Sequence, residues 1–486
     1  MTFVSELPPP ELWRHFDQLL TIPRGSKQEE KARDYVIGVA ATAGLEVIED
    51  AGGNVLVRKR PAPGREGAPS VALQAHLDMV QEKNAHTPHD FQTDPIRPKR
   101  DDLWLSADET TLGADNGIGV AAMLAIMEKQ DAAYGPVEFL FTVDEETGLT
   151  GAKELSTDLL ESRMLINLDS EEQGVITIGC AGGGDTRLYM PLVRGGVEGG
   201  TCLTVAVSGL RGGHSGVDIH LQRGNAICLL ARVLRAAADR SDLRLVGFSG
   251  GNARNAIPRE ATATAWIPGG RAAEICQDAI EAEFAAAAAE IGTPDGGARM
   301  TIGPSAVPSS AWDEATTENV LDLLVGLPHG VMRMSDDLPG LVETSTNLAV
   351  VNERDEGSLF VMLNSRSSVA TALEALRRRI QAVAELAGVE VEQKDGYPSW
   401  QPNVNSALLA VMRDTYAELI GTPPAVGAMH AGLECGIIGE KYPGMDMVSF
   451  GPQIEFPHSP DERVRIDTVA PFFRVLCSTL ERLGTP

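Results

Sequence analysis

Three apolar runs in this chain end in side chains that do chemistry. Val71-Ala72-Leu73-Gln74-Ala75 stops at His76-Leu77-Asp78, and the run from Val137 to Val143 stops at Asp144-Glu145-Glu146-Thr147-Gly148. Met164-Leu165-Ile166-Asn167-Leu168 stops at Asp169-Ser170-Glu171-Glu172. Each run has the length and bulk of a buried parallel strand, and open α/β sheets place their ligand sites beyond the carboxyl ends of such strands. Imidazole and carboxylate at three strand tips supply the nitrogen and oxygen ligands that suit Zn²⁺. In an extended backbone residues two apart point to one side, so Asp78 is placed to orient His76 by a hydrogen bond. The neighbours Glu145 and Glu146 point different ways, which leaves one to hold a metal and the other to take a proton from water.

A fourth stretch, Gly113-Ala114-Asp115-Asn116-Gly117, opens a helix predicted to run to Met127. An acid at a helix N-terminus is stabilised by the dipole and serves as a cap, while the flanking glycines permit a tight backbone that brings Asp115 up to a metal. His458 lies in the rigid loop Phe456-Pro457-His458-Ser459-Pro460-Asp461-Glu462. Gly117-Ile118-Gly119 lacks the third glycine of a nucleotide fingerprint, and no P-loop lysine occurs. Six scattered cysteines without a C-x-x-C pair fit reduced thiols, so any metal must use histidine and carboxylate.

These tips need a scaffold. Ser26-Lys27-Gln28-Glu29 has capping-box spacing before a helix over 30–41, and strands at 46–48 and 54–57 flank Gly52-Gly53. A polar linker at 60–67 leads to the His76 strand, and the Pro-rich, charged stretch 90–104 reads as a surface loop. From Thr201 to Ser208 the pattern switches to period two, as in a half-solvated antiparallel sheet. Helices at 225–238 and 271–291 and strands at 261–267 and 358–363 then alternate, an arrangement long enough for two similar halves. Helices at 405–420 and 469–482 close the chain. At 486 residues the sequence exceeds a single core. The expected division is a catalytic domain over 1–184 and 395–486 with a lid or substrate-binding domain inserted at 185–394. A net charge of −27 argues against nucleic acid or an anionic membrane as partner. The first ten residues lack a leader pattern and no apolar run is long enough to span a bilayer, so the expected location is cytoplasmic.

In their order and wording, the five motifs around His76, Asp115, Glu145, Asp169 and His458 resemble the M20 family of co-catalytic metallopeptidases, and within it the aminoacyl-histidine dipeptidase branch. The resemblance implies a two-domain α/β fold: a mixed-sheet di-zinc catalytic domain with an inserted α+β lid domain. It implies two Zn²⁺ per subunit, with Co²⁺ or Mn²⁺ as substitutes. Asp115 would bridge them, His76 and Asp169 would complete one site, and Glu146 and His458 the other. Glu145 would be the general base acting on a water between the ions, with Asp78 orienting His76. Asp115-Asn116 would be a non-proline cis peptide. Gly213-His214-Ser215, the stretch from Asn252 to Pro258 and Asn364-Ser365-Arg366 resemble the family's substrate-facing motifs. His214 would serve the oxyanion, and Asn255, Arg366 and His430 would hold substrate, the fork of Arg366 matching a free carboxylate. The implied activity is hydrolysis of unblocked dipeptides, Xaa-His included, by a monomer or homodimer. An N-acyl amino acid amidohydrolase of the same fold is the alternative, followed by an inactive metal-binding regulator.

Overall fold

The computed structural model describes residues 2–485, which form two compact units. The first unit comprises the chain as far as Gly179, Pro402–Ala428, and the chain from Leu433 onward. Its centre is the Val71–His76 strand, buried at every residue. Parallel strands Val137–Thr142 and Met164–Asn167 flank it on either side. Burial on both faces is why these runs are continuously apolar rather than alternating. The eight-stranded sheet continues outward through Val55–Lys59 to Glu46–Glu49 on one side, and through Asp446–Ser449, Val175–Cys180 and Ala425–Met429 on the other. The outer pairs at 46–59 are antiparallel, so the sheet is mixed.

The helix Ala114–Glu128 is apolar on all sides, and Gly117 to Met127 are buried without a break. A helix with no polar face belongs inside a core. Its first turn is irregular: Asp115 and Asn116 depart from helical geometry, and Gly113 before them sits at φ +73°. A β-carbon at Gly113 would lie 2.5 Å from the Arg24 guanidinium, so both conformation and space demand glycine.

The second unit comprises Cys180–Gln401 and Met429–Gly432. Its nine-stranded sheet consists of two β-α-β-β-α-β halves and one added strand, Gly330–Met334, paired with Val342–Glu353. One half uses strands Thr201–Ser208, Arg244–Gly250, Ala261–Ile267 and Arg299–Ser305 with helices Ala226–Ala238 and Arg271–Ile291. The other uses Gly182–Pro191, Val342–Glu353, Ser358–Ser367 and Glu390–Gln393 with helices Glu314–Gly326 and Ala370–Leu386. The halves join edge to edge at Gly250 and Val351. Val205, Leu230, Leu234, Ile280, Leu324, Val361 and Ile380 meet in one core fed by both halves. The two similar halves expected from the alternation of elements are therefore present, the first strand of one half being separated in sequence from its helix by the whole of the other.

Four local readings change. The domain divisions expected at 185 and 395 fall instead after Gly179 and Gln401, because the outgoing and returning chains pair before they part. Cys180 and Trp400 exchange backbone hydrogen bonds of 2.8 and 3.0 Å, and Gly183 and Tyr397 do the same at 3.0 Å. Met429–Gly432, read as catalytic domain, belongs to the second unit because the Ala181 amide donates to the Met429 and Ala431 carbonyls. The capping box at Ser26–Glu29 does not form: the helix starts at Glu30 without a side-chain cap, and Ser26 and Glu29 bond elsewhere. The stretch 90–104 contains the edge strand Pro98–Asp101, paired with Trp104–Ala107. The six cysteines form no disulfide, and no helix among the described residues is long and apolar enough to cross a membrane.

Leu73 is fully buried, with Phe139 and Ile166 as its register partners on either side. Leu73→Ala is expected to weaken the first unit by about 2–5 kcal/mol through lost transfer energy and the cavity left behind. Denaturant unfolding of the variant measures this, and a near-zero change would contradict the packing described.

Candidate metal centre

Seven of the side chains singled out in the sequence come together at the carboxyl ends of the central strands. His76 is 1% exposed, and its Nε2 lies 3.1 Å from Asp115 Oδ1 and 3.2 Å from Asp169 Oδ1. On the other side His458 Nε2 lies 3.3 Å from Asp115 Oδ2 and 3.0 Å from Glu146 Oε2. Asp115 thus turns one oxygen to each histidine. Two donor sets result, His76/Asp115/Asp169 and Asp115/Glu146/His458, and within each the ligand atoms lie within 4.8 Å of one another. A third set of that span, His76/Glu145/Glu146, brings Glu145 into the same space. The Asp115–Asn116 peptide is cis, as the resemblance implies.

Asp78 does more than its spacing foretold. Its Oδ1 lies 3.3 Å from His76 Nδ1. Its two oxygens also accept the backbone amides of Glu145 and Glu146 at 3.0 and 3.1 Å, and Ser26 Oγ donates to Oδ2 at 2.8 Å. One buried carboxylate therefore orients a histidine on one strand end and the acidic turn on the next. Burial alone would raise this acid, but hydrogen bonds from His76, Ser26 and Glu145 outweigh it and bring the group down to about 2.

Residues without an assigned role in the sequence reading hold the other ligands. Glu462 is buried, and its carboxylate accepts the amides of Leu112, Gly113, Ala114 and Asp115 at 2.7, 2.9, 2.8 and 3.2 Å. Arg24, 2% exposed, donates to the carbonyls of Leu77 at 2.9 Å and Asp78 at 3.0 Å, and to that of Gly113. Glu29 accepts the Asp144 amide at 2.9 Å. Asn116 Nδ2 donates to Asp169 Oδ1. The only sequence signal was for Glu462, four residues after His458 in a motif already noted. Arg24 sits in an unremarkable stretch and Glu29 in one read as a helix cap, and the role of both depends on contacts across the fold.

The charges explain what the centre lacks. Burial raises Glu145 well above the usual carboxylate range, with Asp169, Glu146 and Glu434 adding to it against the pull of His76. Asp169 rises to about 6, chiefly through burial. His458 is pushed up to about 11 by hydrogen bonds to Asp115 and Glu146. Glu146 Oε1 is buried with no hydrogen-bond partner. Several acids gathered out of water with an orphaned oxygen are costly unless cations join them. Imidazole nitrogen with carboxylate oxygen is the donor chemistry of Zn²⁺ and similar divalent ions, so the residues fit a pair of such ions.

In the second unit, His214 pairs with Ala256 in a two-residue ladder beside Asn255, whose carbonyl accepts the Ser215 amide at 2.8 Å. His214 Nδ1 accepts the amides of Gly216 and Val217 at 3.2 and 3.1 Å, which leaves Nε2 as the protonated nitrogen of a neutral ring. Burial, aided by Arg366, holds this imidazole below its ordinary value. Arg366 is 7% exposed and donates through Nη1 to the Tyr397 hydroxyl at 2.8 Å, while its Nε has no partner. Ser345, opposite Arg366 in the strand register, shares a 2.7 Å hydrogen bond with His430 Nε2. A β-carbon at Gly216 would come within 2.5 Å of the His430 carbonyl, so glycine lets the His214 loop lie against His430. His214, Asn255, Arg366 and His430 therefore belong to one unit, and Tyr397 joins them as a residue the sequence reading had not assigned.

Two donor sets that share Asp115 at the ends of a mixed sheet are an arrangement that could hold a pair of divalent ions. Residues 72–482 match the model of peptidase family M20/M25/M40, and the chain belongs to that family. It is 40% identical to the cytosol non-specific dipeptidase of Escherichia coli (strain K12) over 99% of both chains. Among solved structures it is similar to aminoacylhistidine dipeptidase from Vibrio alginolyticus, with TM-score 0.94, 41% identity, and 99% of this chain and 98% of that one covered. Aminopeptidase PepT from Bacillus cereus, 16% identical with TM-score 0.58 over 99% of this chain and all of the other, shares the fold.

The raised His458 has a consequence for ion binding. A group whose pKa stands above its ordinary value of 6.5 keeps its proton through neutral pH, and a cation binding at Nε2 must displace it. Titrating metal-free protein with Co²⁺ in weakly buffered solution near pH 7.5 is expected to release protons, and affinity is expected to rise with pH. Binding without proton release would contradict the proximity of His458 to Asp115 and Glu146.

Proposed function

We propose that this chain is a zinc-dependent dipeptidase that hydrolyses unblocked dipeptides, Xaa-His among them. The observation that carries the reading is the Asp115 carboxylate with one oxygen toward His76 and the other toward His458. Asp115, His76 and Asp169 would hold one Zn²⁺, and Asp115, Glu146 and His458 the other. When bound, the two ions polarise the scissile carbonyl and lower the pKa of water.

The chain's own residues do the rest. Glu145, whose amide is held by Asp78, takes the proton of the attacking water and passes it to the leaving amine. Its raised proton affinity, driven by burial, makes it the stronger base for taking that proton. Asp78 keeps the His76 ring oriented through Nδ1. His214, with its proton on Nε2, donates a hydrogen bond to the oxygen of the tetrahedral intermediate. The Arg366 guanidinium, with an unpartnered Nε, receives the substrate's free carboxylate together with Asn255, and His430, bonded to Ser345 across the strand pair from Arg366, holds substrate with them. A site for a free carboxylate favours substrates with an unblocked C-terminus. The name of the Escherichia coli relative supports a cytoplasmic setting for the reaction.

A panel of Ala-His, Leu-Leu, a tripeptide and an N-acetyl amino acid, assayed with and without chelator, tests the reading. Cleavage of the dipeptides alone, abolished by chelator and restored by Zn²⁺, is expected. Preferential cleavage of the N-acetyl compound would make the chain an acylase instead. Glu145→Ala is expected to lose turnover and keep both ions, because removing a base spares the ligands. Loss of an ion in that variant would make Glu145 a ligand.

His214→Ala is expected to lower kcat by roughly 10²–10³, the usual consequence of removing an oxyanion donor, with metal content and melting temperature unchanged. A loss of stability with normal turnover in the folded protein would reduce His214 to a loop residue. Mixing His214→Ala with Glu145→Ala protein distinguishes a monomer from a dimer that shares the site. Activity recovered in the mixture means that His214 acts across subunits.

A further inference from the structure

Beneath the ligand-bearing strand ends lies a polar network that neither ligand binding nor catalysis uses directly. At one end of it stands Glu434, fully buried at the start of the helix Glu434–Lys441. Its Oε2 accepts from Gln74 Nε2 at 2.6 Å and from Thr142 Oγ1 at 2.7 Å, and its Oε1 has no hydrogen-bond partner. Gln74 Oε1 in turn accepts from Asn167 Nδ2 at 2.5 Å. Asn167 Oδ1 accepts the Asp169 amide at 3.2 Å and the Ser449 hydroxyl. Gln74, Thr142 and Asn167 lie on three adjacent strands. Gln74 is two residues before His76, Thr142 three before Glu145, and Asn167 two before Asp169.

The network has a direction. Glutamine and asparagine amides each have a donor end and an acceptor end and can turn either way, whereas a carboxylate only accepts. An acceptor at Glu434 requires the Gln74 amide nitrogen to face it. The Gln74 oxygen then faces Asn167, the Asn167 nitrogen faces Gln74, and the Asn167 oxygen faces the Asp169 amide. All these groups are buried, so a reversed amide would leave donors and acceptors unpaired at a cost of about 1–3 kcal/mol each.

We propose that Glu434 is a positioning residue: as the acceptor-only end of the Gln74–Asn167 amide chain, it sets the relative placement of the three strand ends that carry His76, Glu145 and Asp169. It touches neither substrate nor ligand and acts through Gln74, Thr142 and Asn167. The inference rests on the dinuclear-metal reading above. Its consequence is that metal affinity depends on a residue separated from Asp169 by three hydrogen bonds, through the rigidity of the site rather than its donor count.

The test uses the full-length protein, stripped of metal and reloaded with Co²⁺. Affinity is measured by chelator competition, geometry by the visible absorption of the bound ion, and folding by circular dichroism and melting. Glu434→Leu, which fills the space without an acceptor, is expected to weaken Co²⁺ binding by about 10–100-fold. It should alter the absorption bands, and lower kcat with little change in KM. Glu434→Gln keeps an oxygen for both donors and is expected to recover affinity and spectrum. Wild-type affinity in a folded Leu variant overturns the proposal. So does a Gln variant as impaired as Leu, since that would make carboxylate charge rather than hydrogen bonding the active property. Should the Leu variant fail to fold, Thr142→Val removes one donor at constant shape. Weakened binding in folded Thr142→Val supports the proposal and unchanged binding overturns it. Wild-type protein that binds no Co²⁺ would overturn the metal reading itself, an outcome distinct from all of these.

Discussion

The first unit is organised around a single carboxylate that faces two ways. Asp115 directs Oδ1 to His76 and Oδ2 to His458, and every other polar feature of the centre serves to keep it so. The two histidines stabilise the Asp115 charge, but the acids gathered around it are expensive to hold, first because burial strips them of water and then because Glu145, Glu146 and Asp169 repel one another. The elevated Glu145 and Asp169 and the orphaned Glu146 oxygen express that cost. Divalent cations remove it, which makes ion binding part of the electrostatic balance of the fold as well as of catalysis.

The turn that carries Asp115 is held by backbone contacts in addition to the pairing of its side chain with His76 and His458. The four amides of the Leu112–Asp115 turn converge on Glu462, while Arg24 takes the Gly113 carbonyl together with those of Leu77 and Asp78. An acid and a base, both buried, thereby fix donors and acceptors of the same loop. Glu462 stands four residues after His458, so one loop both supplies a candidate ligand and clamps the turn that carries another, Asp115. Asp78 repeats the arrangement, accepting the Glu145 and Glu146 amides while it faces His76. Charge-assisted bonds to backbone groups suit this purpose because they fix the main chain from which the ligand side chains project.

The second unit follows the same logic with less charge. Two amides on His214 Nδ1 select the tautomer, and a tyrosine hydroxyl orients Arg366 while leaving its Nε unpaired. Both leave a donor available for a ligand. Duplication of the β-α-β-β-α-β half makes the scaffold wide enough to bring His214 from one half and Arg366 from the other into one sheet-bearing unit.

Much of this chain was legible from residue order alone. Apolar strands that stop at His76, Asp144 and Asp169 declare a parallel sheet with polar tips, since burial on both faces demands the first and solvent access permits the second. Five motifs in family order then identified the candidate ligands, and the period-two pattern after Thr201 marked a second unit. Tertiary structure alone decided what those side chains face. Ser26 and Glu29 have the spacing of a helix cap, yet they serve Asp78 and Asp144, because partners distant in sequence lie nearer than the helix's own amides. Arg24 and Glu434 carry no local signal of their part, since a buried polar residue is defined by the donors and acceptors that folding brings to it. Met429–Gly432 joined the second unit for the same reason, through an Ala181 amide that no periodicity encodes. Local spacing determines which groups can reach one strand end or one helix turn, and only packing between elements decides which of them meet.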